Sequence, residues 1–97
     1  MLIVYRDRLN KFGKKHADAR KSLSVWKSVA EKAVWKKKQD IIQDFPKPKI
    51  IKNNKARFEI VHNTSRLIVH IDYDDSIVEI RFIGTHKQYE KINPEII

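Results

Sequence analysis

The chain has 97 residues, of which 21 are Lys or Arg and 12 are Asp or Glu, so its formal net charge at pH 7 is +9. Hydrophobic residues make up 41% and charged residues 34%, a composition too apolar for a disordered tail and too polar for a membrane protein. A chain of this length forms one small domain with a modest core and little room for an enclosed substrate cavity. We therefore expect any chemistry on an open surface.

The basic charge is concentrated in the first part of the chain. Residues 1–55 contain 16 Lys and Arg against 5 Asp and Glu, whereas residues 56–97 contain 5 against 7, so the two parts carry +11 and −2. A basic surface attracts nucleic acids or anionic membranes through electrostatics that do not depend on sequence. The alternative is that these lysines only form a solvated helical surface.

Several classes of protein are excluded by what the sequence lacks. It contains no Cys, so it has no disulfide framework, no Cys-based zinc site and no thiol nucleophile. It contains no apolar stretch of about 18 residues that would span a membrane, and the apolar run at its start is too short for a signal peptide. We expect a cytoplasmic protein that does not associate with membranes.

The first half of the chain has helical spacing. Apolar residues between Leu2 and Val34 recur every three or four positions, which predicts two amphipathic helices. Asp18, at the break between them, is a candidate N-cap of the second helix because a short acceptor side chain satisfies free amides of the first turn. A third, short helix is expected over residues 39–45, where Pro46 ends it.

From Ile50 onward the apolar period changes to two, which predicts antiparallel strands joined by short turns. We expect strands over residues 57–60, 66–73 and 77–83, and a short edge strand over residues 50–52. Gly84 is expected to end the last strand.

The alternation in these strands predicts one buried and one polar face of the sheet. Phe82 is expected on the buried face with Val78 and Ile80. The polar face is expected to carry Arg66, His70, Glu79 and Arg81. Such a face is a candidate site, because these side chains are too polar to be buried together without partners.

A final helix is predicted after the last strand. Thr85 and Gln88 have the spacing of a capping box, so the helix is expected over residues 86–92. The predicted fold class is α+β, with N-terminal helices packed on one face of a 3–4 stranded antiparallel sheet and a short C-terminal helix. We expect a single domain over residues 1–97, helical over 1–46 and containing the sheet and last helix over 50–97.

Several stretches of the sequence carry a family resemblance: residues 51–55, residues 66–73 and the block from Ile80 to Tyr89, together with Trp26 and residues 44–46 in the first half. In this order they resemble the HigB toxins, which belong to the RelE/ParE superfamily of bacterial type II toxin–antitoxin systems. The resemblance covers essentially the whole chain and implies a RelE/ParE-like fold. Its most specific part is the segment from Arg81 to Tyr89.

The resemblance implies an mRNA interferase, a metal-independent endoribonuclease that cuts messenger RNA, usually in the ribosome. In such enzymes the ribose 2′-hydroxyl attacks the adjacent phosphate and leaves a cyclic phosphate or 3′-phosphate and a 5′-hydroxyl. It also implies a HigA-like antitoxin with a helix-turn-helix domain as partner. We expect the free toxin to be monomeric and to form a hetero-oligomer with the antitoxin.

Two other functions remain open. One is a ParE-like toxin that acts on DNA gyrase without cutting RNA. The other is a catalytically inactive, basic RNA-binding module.

His86 and Tyr89 are candidate catalytic residues at the start of the last helix. An imidazole titrates near neutral pH and is suited to proton transfer, and the helix macrodipole would favour its neutral form. Tyr89, three residues later, would share the same side of the helix and either stack on a base or donate a proton. The alternatives are a surface histidine at a helix start and a tyrosine that packs the helix against the sheet.

Arg66, Arg81 and Lys55 are candidate phosphate ligands and complete the predicted catalytic set. Each arginine alternates with apolar residues in a strand, and its planar guanidinium suits a phosphate. Lys55 matches a family position that is often basic. The alternative for the arginines is an ion pair with Glu79 or Asp72 across the sheet.

A second set of basic residues is predicted to bind RNA through electrostatics: Lys36, Lys37, Lys38, Lys52 and Lys87. The alternative for any one of them is a solvated position. We expect no metal and no cofactor, because the histidines lack metal-ligand spacing and the sequence has no Gly-rich phosphate loop.

The sequence departs from the family pattern at two places. Glu59 stands where relatives often carry Asn, and a carboxylate that faces the RNA would repel phosphate. The first hairpin, which in similar toxins often turns on Gly, has His62 and Asn63 here, of which Asn63 tolerates positive φ. Arg57 does not match a basic position of the family, so we do not place it in the site.

Overall fold

The computed structural model describes residues 1–62 and 64–97 and confirms the α+β fold. The described residues form one sheet of five strands in the order β1-β5-β4-β3-β2. The strands are β1 (Leu2–Val4), β2 (Lys49–Ile51), β3 (Lys55–Ile60), β4 (Ser65–Asp72) and β5 (Ile77–Thr85), and the helices are α1 (Asp7–Lys15), α2 (Arg20–Lys32), α3 (Lys38–Asp44) and α4 (His86–Tyr89). Within this part of the chain no helix is long and apolar enough to cross a membrane.

The sequence prediction missed β1. The chain is not helical from Leu2, because residues 2–4 pair in parallel with the start of β5, Leu2 with Ile77 and Val4 with Glu79. The β-branched side chains of Ile3 and Val4 suit a strand, and Ile3 is buried in the core. The sheet therefore has five strands rather than three or four, and one pair of them is parallel.

The helical segment otherwise follows the prediction, apart from one cap. α1 and α2 are the two amphipathic helices, and α3 is the short third one. Asp18 does not cap α2, because it lies inside a 3-10 turn, Ala17–Ala19, that leads directly into that helix. The backbone N–H of Arg20 already bonds to the carbonyl of Ala17 across this turn, so the chain enters α2 without a side-chain cap.

A β-bulge in β5 changes which residues face the helices. The β4–β5 register shifts between Ile68, which pairs with Phe82, and Val69, which pairs with Ile80, so that Arg81 is an extra residue. The inserted residue reverses the alternation beyond it, since side chains switch faces at every position of a strand. Ile83 therefore packs against the core, and the expectation that Phe82 shares the buried face with Ile80 is wrong.

The end of β5 and the last helix also differ from expectation. Gly84 does not end the strand, because it pairs with Arg66 and β5 continues through Thr85. α4 is one turn long and ends at Tyr89 instead of residue 92. Two turns follow, in which the N–H groups of Lys91 and Ile92 donate to the carbonyls of Gln88 and Tyr89.

The hairpin between β3 and β4 turns with positive φ at Val61 (52°) and His62 (57°). Positive φ is unusual for these residue types, and for a β-branched valine it is strained. Asn63, which was expected to supply the positive φ, lies outside the described residues.

The two faces of the sheet have different coverings. The N-terminal helices cover one face, where the sheet contributes the core residues Ala56, Phe58, Ile60, Leu67, Val69, Ile71, Val78 and Ile80. Opposite them lie Leu9, Leu23, Trp26 and Ile41 of the helices, and Trp35 of the connection between α2 and α3. By the register, the second face carries Arg57, Arg66, Phe82 and Gly84, and α4 lies against this face through Tyr89. We refer to it as the α4 face.

Candidate active site

The direction of α4 is fixed by the predicted capping box. Thr85 Oγ1 accepts a hydrogen bond from the Gln88 N–H at 3.3 Å, and Gln88 Oε1 accepts one from the Thr85 N–H at 2.9 Å. Gly84 leaves space for this arrangement, since a Cβ there would lie 2.6 Å from Cζ of Phe82 and 2.8 Å from Gln88 Oε1. The cap therefore turns the chain back over the sheet and brings residues 86–89 onto the α4 face.

Arg66, His86 and Glu90 form a hydrogen-bonded chain. Arg66, buried with 4% of its surface exposed, has its Nη2 atom 3.0 Å from His86 Nδ1. A guanidinium can only donate, so Nδ1 is the acceptor and carries no proton in this contact. The proton of the imidazole is then on Nε2, which lies 2.9 Å from Glu90 Oε1. These two contacts set the tautomer of His86.

Tyr89 lies against two guanidinium groups. The Cζ atom of Arg57 is 5.6 Å and that of Arg66 5.7 Å from the centre of the Tyr89 ring, distances at which a cation is attracted to an aromatic face. Arg57 Nη1 also donates to Tyr89 Oη at 3.4 Å. The ring of Phe82 lies 6.4 Å from that of Tyr89. Tyr89 thus packs α4 against the sheet, which was the alternative to a role in catalysis. Its hydroxyl is held next to the Arg57 guanidinium.

Lys55 is buried and bound to the segment that follows α4. With 5% of its surface exposed, it donates from Nζ to the carbonyl oxygens of Glu95 at 2.8 Å and Pro94 at 3.4 Å. Asn53 Nδ2 donates to the same Glu95 oxygen at 3.4 Å. Burial and the charge of Arg81 lower the pKa of Lys55, and the Glu95 carboxylate opposes this shift. In this conformation the Lys55 ammonium is hydrogen-bonded to main-chain carbonyls of residues 94 and 95.

Arg81, the extra residue of the bulge, forms an ion pair with Glu79. Its Nε atom lies 2.7 Å from Glu79 Oε1, so the ion-pair alternative holds for this arginine. Both side chains are about one-third exposed, and a pair that is open to solvent is weak enough for a phosphate to displace the carboxylate.

Four of the five predicted RNA-binding lysines lie around one cavity. Lys36, Lys37, Lys38 and Lys52 line a cavity of about 590 Å³ between the start of α3 and the edge strand β2. A neighbouring cavity of about 400 Å³ shares Lys52 and reaches Tyr89. The fifth, Lys87, is exposed on α4. A basic surface therefore runs from the edge of the sheet towards the α4 face.

Glu59 lies next to Arg57 and Arg66 in the structure. Glu59, the departure from the family pattern, pairs with Arg66 across β3 and β4, and its Oε1 lies 3.8 Å from Arg57 Nη2. Arg57 thus offsets part of the repulsion that this carboxylate would exert on a phosphate. Among the described residues no group of three or more His, Asp or Glu side chains is placed to hold a metal ion.

Three residues of this site were not predicted from the sequence. Glu90 was detectable, because it lies four positions after His86, the spacing of neighbours on a helix. Arg57 alternates with apolar residues in its strand, as the other polar residues do. It was not placed in the site because it does not match a basic position of the family. Phe82 carried no signal, because the bulge that turns it onto the α4 face is not visible in the alternation.

The sequence as a whole was compared with known families. Residues 19–92 match the HigB_toxin family, described as the RelE-like toxic component of a toxin-antitoxin system. The chain belongs to the HigB toxin family. This confirms the resemblance and means that the protein is a toxin with an antitoxin as its partner. No individual curated protein was matched.

The family match includes the residues of the α4 face. The contacts among Arg66, His86 and Tyr89 lie entirely within the matched range, and so does Lys55. The segment that holds Lys55, at Pro94 and Glu95, lies just beyond it. The core of the candidate site therefore lies within the part of the chain that matches the family.

Proposed function

We propose that this HigB-family toxin is an mRNA interferase, a metal-independent endoribonuclease that cuts translated messenger RNA on the ribosome and so inhibits translation. The observation that carries the proposal is the 3.0 Å contact between Arg66 Nη2 and His86 Nδ1, beside Tyr89 and open to solvent at His86. It combines a phosphate-binding cation, an unprotonated imidazole nitrogen and a hydroxyl, the groups that metal-free RNA cleavage requires.

In the first half of the reaction, a phosphate oxygen binds Arg66 and takes the place of His86 as the acceptor of its N–H. His86 Nδ1, released from Arg66, accepts the proton of the ribose 2′-hydroxyl while the bond from O2′ to phosphorus forms. Glu90 accepts the Nε2–H and stabilises the imidazolium that results. Arg66 and Arg81 stabilise the additional negative charge on the phosphorane.

In the second half, the bond from phosphorus to O5′ breaks and the leaving oxygen takes a proton. We assign this proton to Tyr89 Oη, whose ionised form would be stabilised by Arg57 at 3.4 Å. The products are a 2′,3′-cyclic phosphate and a 5′-hydroxyl. Exchange with water then returns the proton from His86 to solvent and reprotonates Tyr89.

The other predicted site residues have supporting roles in this proposal. Lys55 adds a cation to the site when the segment at Pro94 and Glu95 moves away. Lys36, Lys37, Lys38, Lys52 and Lys87 attract the RNA backbone, including that of the ribosome. The toxin acts in the cytoplasm, where translated mRNA is found. It is monomeric when free and is neutralised in a hetero-oligomer with a HigA-like helix-turn-helix antitoxin.

The test is expression of the toxin without antitoxin, followed by mapping of the 5′ ends of cellular mRNA. We expect growth arrest and new 5′-hydroxyl ends within coding sequences. His86→Ala should abolish both, with an unchanged circular dichroism spectrum, because His86 is exposed. His62→Asn is the matched control, since it removes a second exposed histidine, from the β3–β4 hairpin whose Thr64 carbonyl accepts the His86 N–H, and Asn tolerates positive φ.

Two outcomes would overturn the proposal. Growth arrest without new mRNA ends, accompanied by altered DNA supercoiling, would mean that the toxin acts on gyrase. Binding of RNA without cleavage in any translating extract would mean that it is an inactive RNA-binding module.

A further inference from the structure

The structure contains a groove beside the candidate site, of which the proposed reaction uses only Arg81. β1 pairs with only the first residues of β5, so the edge of β5 is open from Ile80 onward. α1 lies along this edge, where Arg8 Nη1 donates to the Ile80 carbonyl at 2.8 Å. Between them is a groove of about 550 Å³, the α1–β5 groove, lined by Arg8, Lys11, Phe12, Lys15, His16, Arg81, Phe82, Ile83 and Gln88.

The lining of the α1–β5 groove combines cations with flat apolar groups. Four of its residues are Arg or Lys, and none of the described lining residues is acidic. Phe12 stacks on His16 with ring centres 4.2 Å apart and planes inclined by 23°. Phe82 is only partly buried, because the bulge turns it away from the core. Cations beside aromatic faces are typical of surfaces that bind single-stranded nucleic acid.

The groove is continuous with the candidate site. Phe82 lines it and lies 6.4 Å, ring to ring, from Tyr89. Arg81 lines it and is a proposed ligand of the reacting phosphate. Gln88 lines it and belongs to the one-turn helix that carries His86. An RNA strand that places its scissile phosphate at Arg66 therefore has its next nucleotide within reach of this groove.

We propose that the α1–β5 groove binds one unpaired nucleotide of RNA next to the cleaved bond, with the base against Phe82 and Ile83 and the backbone phosphate between Lys11 and Lys15. The proposal rests on the proposed function for the position of the strand. A volume near 550 Å³ is in the range of small-ligand sites and accommodates a single nucleotide. An acidic protein segment would use the same cations, but it would gain nothing specific from the partly exposed ring of Phe82.

The first test compares two pairs of substitutions that remove the same charge. Lys11→Ala/Lys15→Ala alters the groove, whereas Lys14→Ala/Lys21→Ala removes two exposed lysines that line other cavities. The probe is a fluorescent 2′-O-methyl octaribonucleotide, which the toxin cannot cleave because its nucleophile is blocked. Binding is measured by anisotropy over a range of salt concentrations.

We expect the groove pair to weaken binding by about tenfold and to reduce the magnitude of the slope of log K against log salt by about 1.4, because two phosphate-binding charges are lost at about 0.7 each for a single strand. The control pair should change the affinity less and leave the slope near that of the wild type. Equal effects of the two pairs would overturn the proposal, since they would show only the general charge of the surface.

The second test addresses the base. Phe82→Leu keeps an apolar side chain but removes the ring, and should weaken octaribonucleotide binding by about tenfold while Phe82→Trp retains it. Octaglutamate serves as the acidic-peptide probe. If the groove variants lose octaglutamate binding and keep RNA binding, the groove is a protein-binding surface and the proposal is wrong. Because the probe is not cleaved, groove-dependent binding by a toxin that cuts no RNA would disprove the proposed function alone.

Discussion

Arg66 Nη2 lies 3.0 Å from His86 Nδ1, so the buried guanidinium occupies the nitrogen that would accept the proton of the substrate. In the free toxin the candidate base is therefore masked by the candidate phosphate ligand. In the proposed reaction, a phosphate that binds Arg66 competes directly with His86, and its arrival frees the nitrogen that accepts the proton. The proposal therefore makes substrate binding and activation of the base the same event.

The first prediction concerns the tautomer of His86. Long-range ¹H–¹⁵N NMR spectra of the toxin near pH 8 should show a protonated Nε2 and an unprotonated Nδ1, because Arg66 donates to Nδ1 and Glu90 accepts from Nε2. Arg66→Met should remove this preference and lower the rate of RNA cleavage by about 10²–10³-fold, the usual cost of losing one stabilising donor.

The control for this prediction is Arg20→Met, which removes a guanidinium that donates to the carbonyl of Gly13 between α1 and α2. It should leave the His86 resonances and the cleavage rate close to those of the wild type. A protonated Nδ1 in the wild-type toxin would show that Arg66 and His86 are not hydrogen-bonded as described.

The second prediction uses the two glycines of the chain. Gly84→Ala should lower the free energy of unfolding by about 1–3 kcal/mol, because the new Cβ would clash with Phe82 and with the Gln88 oxygen that closes the capping box. It should also reduce cleavage, since the same box orients the helix that carries His86. Unfolding in urea and the initial cleavage rate measure the two effects.

Gly13→Ala is the matched control. Its Cβ would lie 3.2 Å from Cγ of Arg20, a side chain able to shift, and alanine is favoured over glycine within a helix by about 0.5–1 kcal/mol. This variant should be within about 1 kcal/mol of the wild type and fully active. Equal destabilisation by both substitutions would mean that Gly84 has no special role.

The third prediction concerns Lys55 and pH. Burial and Arg81 lower its pKa in the folded toxin, so in the window between the folded and unfolded pKa the unfolded chain binds more protons and stability rises with pH. Below that window the full cost of burying the charge is present. Relative to Lys55→Met, the wild type should therefore gain stability as the pH is raised from 7 towards 10.5, measured by urea unfolding.

Lys52→Met supplies the baseline for this measurement, because it removes an exposed ammonium from the chain just before β3. Lys55→Met should also increase hydrogen exchange at residues 95–97, since Nζ no longer holds the carbonyls of Pro94 and Glu95. Unchanged exchange there would show that the lysine does not retain this segment.

The fourth prediction concerns Tyr73, whose titration should lower the stability of the toxin as the pH rises. Burial, and to a smaller extent Asp40, raise the pKa of Tyr73 above its ordinary value of 10.0. The unfolded chain then loses this proton before the folded toxin does, so the stability that is present below pH 10 is lost as the pH rises towards the folded pKa. Compared with Tyr73→Phe, the wild type should lose stability between pH 9 and pH 11, with Tyr5→Phe as the exposed control. A constant difference across this range would contradict it.

The parts of the fold that could be predicted are those with a local cause. The alternation in β3 and β4 and the capping box of Thr85 and Gln88 each depend on residues a few positions apart, and all were confirmed. The catalytic candidates at His86 and Tyr89 follow from the same short block.

The parts that could not be predicted depend on partners that are distant in sequence or have no side-chain signature. Leu2–Val4 becomes a strand because β5 offers it an edge more than 70 positions later. The bulge at Arg81 moves Phe82 to the α4 face without altering the apolar pattern. Lys55 is held by main-chain carbonyls, which any residue provides. Glu90, by contrast, could have been predicted, because it lies four positions after His86, the spacing of neighbours on a helix.

The pairing of β1 with β5 also bears on when a cell is exposed to this toxin. β1 is synthesised well before its partner, which follows only at residues 77–85, and α4 comes directly after that partner. A sheet that closes through so distant a pairing forms late, since the intervening chain must be ordered first. The nascent chain therefore lacks Arg66, His86 and Tyr89 in their final arrangement until β5 and α4 have both emerged. An antitoxin that recognises the assembled α4 face can capture the toxin only from that point onward.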